Sequence, residues 1–277
     1  MTLDRRWLLG VAAAEREALG RTIQYMPPET WENESPAEGW RNRDVLAHMA
    51  SAEVAFAAII GEEVPAEVEE YAKSLPKDEP FTTQAFTEWA IRRRQTQSPV
   101  ELALDWGKAA DLFLARASKV TEEDWGTKVL STLAGDLKVG YVVQFRVWEW
   151  YMHGEDLRAG GQLPPRMEHR PIHASCDLAV RMIPFALAVA GLSYPGKSIQ
   201  IELEAAGGGE WHQGLERGKP PPEGKEPDAY IRGRAYPFAL VAGKRANLDV
   251  CLYDGLINLG GDVELAETVL RNLRVFA

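Results

Sequence analysis

The chain has 277 residues, of which 45% are hydrophobic and 26% charged, and it carries a formal net charge of −10. That length suits two domains of ordinary size, with enough apolar residues to bury a core without disulfide staples. The composition excludes a disordered chain, and the acidic balance argues against nucleic acid, whose phosphates call for a basic field.

Residues 3 to 25 place Leu8, Val11, Ala12, Leu19 and Ile23 at helical spacing. Glu15 and Arg16 interrupt the apolar run too early for a secretion signal, so the segment reads as an amphipathic first helix. A loop rich in Pro, Glu and Asn follows from Pro27 to Glu38. Gly39 and Trp40 lead into a second helix, with Asn42 as its N-cap and Val45, Leu46, Met49, Ala50 and Val54 as its apolar stripe. Gly61 to Pro80 reads as a surface segment, Thr82 to Gln95 as a third helix and Pro99 to Lys119 as a fourth. The Arg92-Arg93-Arg94 cluster reads as a solvated helix face. After a turn at Gly135-Asp136, a helix from Lys138 to Ala159 ends at Gly160-Gly161, with Pro164-Pro165 beyond it.

The pattern then changes. Residues 171 to 192 read as a helix that Pro184 kinks or divides. Ile199, Ile201 and Leu203 alternate with polar residues in the period of a strand, and Trp211 to Leu215 reads as its partner across the Gly207-Gly208-Gly209 turn. Lys219 to Pro227 is a loop, Asp228 to Arg232 a third strand, Tyr236 to Ala242 a short helix, Gly255 to Leu259 a fourth strand, and 262 to 275 a closing amphipathic helix. Helices first and strands later predict a multi-domain α and α+β chain: a helical bundle over 1–163 and a small α+β domain over 170–277. No stretch approaches the roughly 18 apolar residues that span a bilayer, so no membrane partner is expected. Cys176 and Cys251 both lie in apolar contexts, as small core residues in a reducing compartment would, and a cytoplasmic location is expected.

One spacing is chemically pointed. Glu149, His153 and Asp156 stand at i, i+4 and i+7, on one helix face. A carboxylate and an imidazole one turn apart can ligate a single ion. His48, the other histidine of the predicted bundle, is the natural third ligand. The blander alternative is a Glu–His pair on an exposed helix and a satisfied core histidine. Trp148, Trp150, Tyr151 and Met152 weigh against it, since ionisable groups on so apolar a helix need partners. Asp44, one turn before His48, is a ligand, a partner to a ligand, or a first-turn acid favoured by the helix dipole; the last is preferred. Two nitrogens and one oxygen suit zinc, and also nickel, iron, cobalt or manganese. His169 and His173, with Pro171 between them, read as surface residues of a linker, and His212 as a cross-strand packing residue.

The segment GWRNRDVLAHMASAE near residue 40, with R-x-x-E-W-Y-x-H-G-x-D-L-R at 146 to 158, resembles the mycothiol-dependent maleylpyruvate isomerase family. The resemblance implies a DinB-like four-helix N-terminal domain whose metal ligands fall on His48, Glu149 and His153, with Asp156 supporting the second histidine. It implies, more loosely, a sterol-carrier-like α+β C-terminal domain, on the stretch DAYIRGRAYPFALVAGKR. The family holds substrate carboxylates with an arginine of that domain at the interdomain cleft; Arg245 is the first candidate and Arg234 the second. The inserted Lys244 departs from the pattern there. The implied activity is a metal-dependent isomerase or S-transferase that uses a low-molecular-weight thiol such as mycothiol on a small electrophile, in a monomer or homodimer. The alternatives are a non-catalytic small-ligand-binding protein with a structural metal, and a metal-dependent hydrolase.

Overall fold

In the computed structural model, which describes residues 3–132 and 135–275, the Asp4 carboxylate accepts the Trp7 amide at 2.8 Å and starts helix α1, Arg5–Tyr25. Helix α2, Asn42–Ile60, begins one residue away from the expected cap. Arg41 occupies the cap position, and the Asp44 carboxylate reaches back to accept its amide at 3.0 Å and its guanidinium at 2.9 Å. Asn42 is instead buried as the first helical residue, its side-chain amide donating to the Thr30 carbonyl at 2.7 Å. Asp44 is thus a first-turn acid.

The segment expected to be plain surface holds a helix, α3, Ala66–Ser74. Its one buried anchor, Tyr71, meets Phe81, Phe86 and Trp89 with ring centroids 5.3 to 5.6 Å apart, too few apolar positions to show as a periodic stripe. Helix α4 spans Thr83–Arg93. Arg94, just after it, is buried and pairs with Glu67 of α3, so the triple-arginine cluster is not wholly a solvated face. Helix α5, Pro99–Ala117, opens on a Ser98/Glu101 capping box with Pro99 at its first position. A short α6, Glu122–Thr127, and a two-stranded hairpin follow, β1 Val129–Thr132 and β2 Gly135–Lys138. Gly135 and Asp136 open the second strand of that hairpin.

Helix α7, Val139–Gly160, is the centre of this part. From 142 to 157 every residue is buried, which describes a helix covered on all sides. It packs on α1 and α2, which in turn pack on α5. At its C-terminal end, Gly160 lies so near Asn42 that a side chain there would collide with the Asn42 amide.

The chain divides into two units, Met1–Pro165 and Arg166–Ala277. In the second, helix α8 runs His169–Val189 as one element through Pro184, so the proline does not divide it. By length and composition α8 could cross a bilayer, a feature the apolar-run criterion above overlooks; 67% of its most apolar window is buried within the fold. A four-stranded sheet has the order β4-β3-β5-β6, formed by β3 Ser198–Glu204, β4 Gly209–Gly214, β5 Ala229–Arg234 and β6 Ile257–Gly261. β3 is parallel to β5, and the other pairings are antiparallel. Ile199, Ile201 and Leu203 all point into the core, as their alternation predicts. Helices α9, Ala235–Ala242, α10, Leu248–Tyr253, and α11, Val263–Asn272, complete the unit; α10 has no counterpart in the sequence reading. The chain is therefore helical with a small mixed α+β part, in the order expected.

His169 and His173 lie in the first turns of α8 rather than in a linker. The rings stack at 5.7 Å, His169 Nδ1 accepts the Gly207 amide at 3.0 Å, and His173 Nδ1 donates to the Gly208 carbonyl at 3.1 Å. They fasten the helix to the β3–β4 turn. His212 meets the Ser198 hydroxyl of the adjacent strand at 2.9 Å.

Candidate metal centre

Helices α2 and α7 bring His48, Glu149 and His153 together, with one donor atom of each within 4.8 Å of the others. Glu149 Oε2 is the hub: it lies 3.3 Å from His48 Nε2 and 3.4 Å from His153 Nε2. The imidazoles meet edge to face with centroids 5.0 Å apart. Side-chain exposures of 17% for His48, 11% for Glu149 and 8% for His153 describe a recessed group with its opening on the His48 side.

Local sequence explains the convergence. Glu149 and His153 are one turn apart on a helix buried on all sides, so their polar ends must find each other or another buried partner. Behind His153, Asp156 Oδ2 accepts from Nδ1 at 2.9 Å with Asp156 wholly buried. That bond puts a proton on Nδ1, and the imidazole in its neutral form then presents its Nε2 lone pair to the hub, the arrangement a metal-ligating histidine adopts. Three converging donors, two imidazole nitrogens and one carboxylate oxygen, fit a divalent cation such as zinc with a coordination position left over. Among the described residues this is the one such grouping of histidine, cysteine and acidic side chains. Asp44 does not join it, being committed to Arg41.

The charges are strongly coupled. Burial is the largest single influence on Glu149 and pushes its carboxyl up, yet His153, His48 and Arg146 together hold it well below the usual carboxylate range. His153 is lowered most by burial, but Asp156 and Glu149 outweigh that and raise it. His48 is lowered, chiefly by burial and also by the neighbouring His153.

Two features escape the sequence reading. Trp40, half-buried, lies with its ring centroid 5.0 Å from His48 and 6.2 Å from His153, stacked on the latter at 26°, and so covers part of the pair. On the other side, Glu53 of α2 and Arg146 of α7 form an ion pair at 2.9 Å that is almost fully buried, and the Trp150 indole donates to the same Glu53 oxygen at 2.5 Å. The signal for this pair was available: a lone acid in MASAEVAF and a lone base in QFRVWEW, each in an apolar run.

The two arginines belong to the second unit. Arg234 is exposed at the end of β5, where it caps α9. Arg245 is half-buried in the turn after α9, its Nη1 donating to the Gly243 carbonyl at 2.6 Å.

Residues 12–158 match the family model described as the mycothiol maleylpyruvate isomerase N-terminal domain, a span that holds His48, Glu149, His153 and Asp156. Two proteins of Mycobacterium tuberculosis, one from each of two strains and both described as uncharacterized, are 26% identical over 203 residues, covering 73% of this chain and 74% of theirs. Crystal structures of the mycothiol-dependent maleylpyruvate isomerase and of a histidine-to-alanine mutant of it share the fold, with TM-scores of 0.62 and 0.61. They are 14% identical in sequence, and the alignment covers 94% of this chain and 95% of those.

Proposed function

We propose that this chain, which belongs to the family of the mycothiol maleylpyruvate isomerase N-terminal domain, is a metal-dependent enzyme that activates a low-molecular-weight thiol for addition to a small electrophile. The observation that carries the reading is the convergence of His48 Nε2, Glu149 Oε2 and His153 Nε2. A divalent metal at these donors, zinc by the chemistry of the set, supplies an open position beside which a thiol loses its proton readily. His48, Glu149 and His153 would hold that metal, with Asp156 orienting the His153 imidazole and Trp40 limiting the access of water. The thiolate adds to an electrophilic carbon. In a cis-enedioate the addition leaves a single bond that rotates, and elimination returns the thiol and the trans isomer. Mycothiol is the thiol that the family name favours, and a small dicarboxylate such as maleylpyruvate is the candidate substrate.

The chain's own cysteines are not nucleophiles in this scheme. Both are free and buried, and burial raises both thiols, Cys176 the more strongly. Two reduced, buried cysteines also fit a cytoplasmic location. Arg245 is our candidate for gripping a substrate carboxylate, with Arg234 second. An Arg245→Ala variant whose KM for a dicarboxylate equals that of the wild type would remove that assignment.

The test of the reading is elemental analysis of the wild type and of His153→Ala, purified identically. Near-stoichiometric zinc that is lost in the variant supports it, and a thiol titration of the cobalt-substituted protein then separates thiol chemistry from hydrolysis. A wild type that neither carries nor takes up zinc or nickel overturns the enzyme reading in favour of a ligand-binding protein.

A further inference from the structure

Beneath the three candidate ligands lies a charged group that packing alone explains poorly. Arg146 stands one turn before Glu149 on α7 and is 1% exposed, and its partner Glu53 is 0% exposed. Two buried charges lose far more hydration than an apolar pair of the same size, and the loss is offset only when their hydrogen-bonding capacity is filled. Here it is not. Arg146 Nη2 donates to Glu53 Oε2, but Arg146 Nη1, Arg146 Nε and Glu53 Oε1 are buried without a hydrogen-bond partner among the described residues.

The orphaned Nη1 has a direction. It lies 3.9 Å from Glu149 Oε2, the same oxygen that both imidazoles approach. The guanidinium is fixed from three sides: by Glu53, which the Trp150 indole holds in turn, by the Phe56 ring 4.5 Å away, and by Phe145 at 5.8 Å. The cation therefore sits between two buried carboxylates, bonded to one and aimed at the other.

We propose that Arg146, anchored by Glu53, is a positioning residue for Glu149. It aims Oε2 between His48 and His153, so that the donor set is formed before a cation arrives. The inference rests on the metal-site reading above and adds to it an assignment for the Glu53–Arg146 pair. Partners that orient a ligand typically change metal affinity by about 10- to 100-fold.

The experiment uses the full chain and two variants, Glu53→Gln with Arg146→Gln together, and Glu53→Gln alone. The double variant removes both buried charges, isosterically at Glu53 and with a side chain two heavy atoms shorter at Arg146, and a thermal melt shows whether it is folded. Zinc affinity is read by competition with a chromophoric chelator, and ligand geometry by the visible spectrum of the cobalt-substituted protein. We expect zinc to bind at least about tenfold more weakly in the double variant, with altered cobalt bands, and the single variant to fall between it and the wild type. A folded double variant that binds zinc within about twofold of wild type and shows a superimposable cobalt spectrum overturns the proposal, and Arg146 is then core packing. Should the double variant not fold, the single variant decides by the same two readouts. A wild type that binds neither metal overturns the parent reading, and this inference falls with it.

Discussion

Replacing Asp156 by Asn tests how the site holds His153, because the change keeps the shape and removes only the charge. Asp156 is wholly buried and its Oδ2 accepts from His153 Nδ1 at 2.9 Å. A hydrogen bond to a charged group contributes about 1.5–3 kcal/mol and a neutral one about 0.5–1.5 kcal/mol. The amide oxygen of Asn can still accept, so the expected loss is the difference, about 1–1.5 kcal/mol. Carried into metal binding, that is close to a tenfold weaker zinc dissociation constant. The assay is chelator competition at neutral pH, with a thermal melt of both proteins to show that the fold is intact. Zinc affinity within about twofold of wild type would refute the reasoning. The imidazole would then be aimed by the packing of α7, with Asp156 contributing nothing beyond its volume.

Two further outcomes follow from the geometry. In protein stripped of metal, Glu149 is held well below its ordinary value of 4.5. A depressed carboxyl stabilises the fold above its unfolded value and loses that contribution as pH falls through the folded one. The melting temperature of stripped protein should therefore drop in acid below about pH 4.5, and Glu149→Gln should flatten that limb; equally steep limbs in the two proteins would count against the coupling described here. Gly160→Ala should cost about 1–3 kcal/mol in a denaturant titration, because the new methyl group meets the Asn42 amide. Adding Asn42→Ala to the same chain should recover part of that loss by clearing the space, and strictly additive costs would show that the collision is not the cause.

Much of the N-terminal unit was legible because its signals are local. The apolar stripes of α1 and α2 come from residues a turn apart, and Gly160-Gly161 marks the end of α7. The misses have a common cause. Helices α3 and α6 each bury one aromatic side chain, and a single anchor gives no period to read. Asn42 has a cap residue's chemistry, but the carbonyl of Thr30, twelve residues back, claims its side chain. Of the two readings of Pro184, a kink or a division, the second does not hold, because α8 continues through it.

The same division runs through the candidate site. Glu149, His153 and Asp156 share a helix face by spacing alone, and the apolar residues around them announce that the face is buried. That much the sequence determined by itself, together with the order of helical and mixed parts. Tertiary structure decided everything that depends on two elements meeting: that His48 of α2 comes within 3.3 Å of Glu149, that Trp40 covers the imidazoles, and that Arg146 stands between Glu53 and Glu149. The physical reason is range. Helical periodicity is written in residues three or four apart, whereas His48 and Glu149 are 101 positions apart and Glu53 and Arg146 are 93 apart. Only the packing of α2 against α7 turns those separations into contacts.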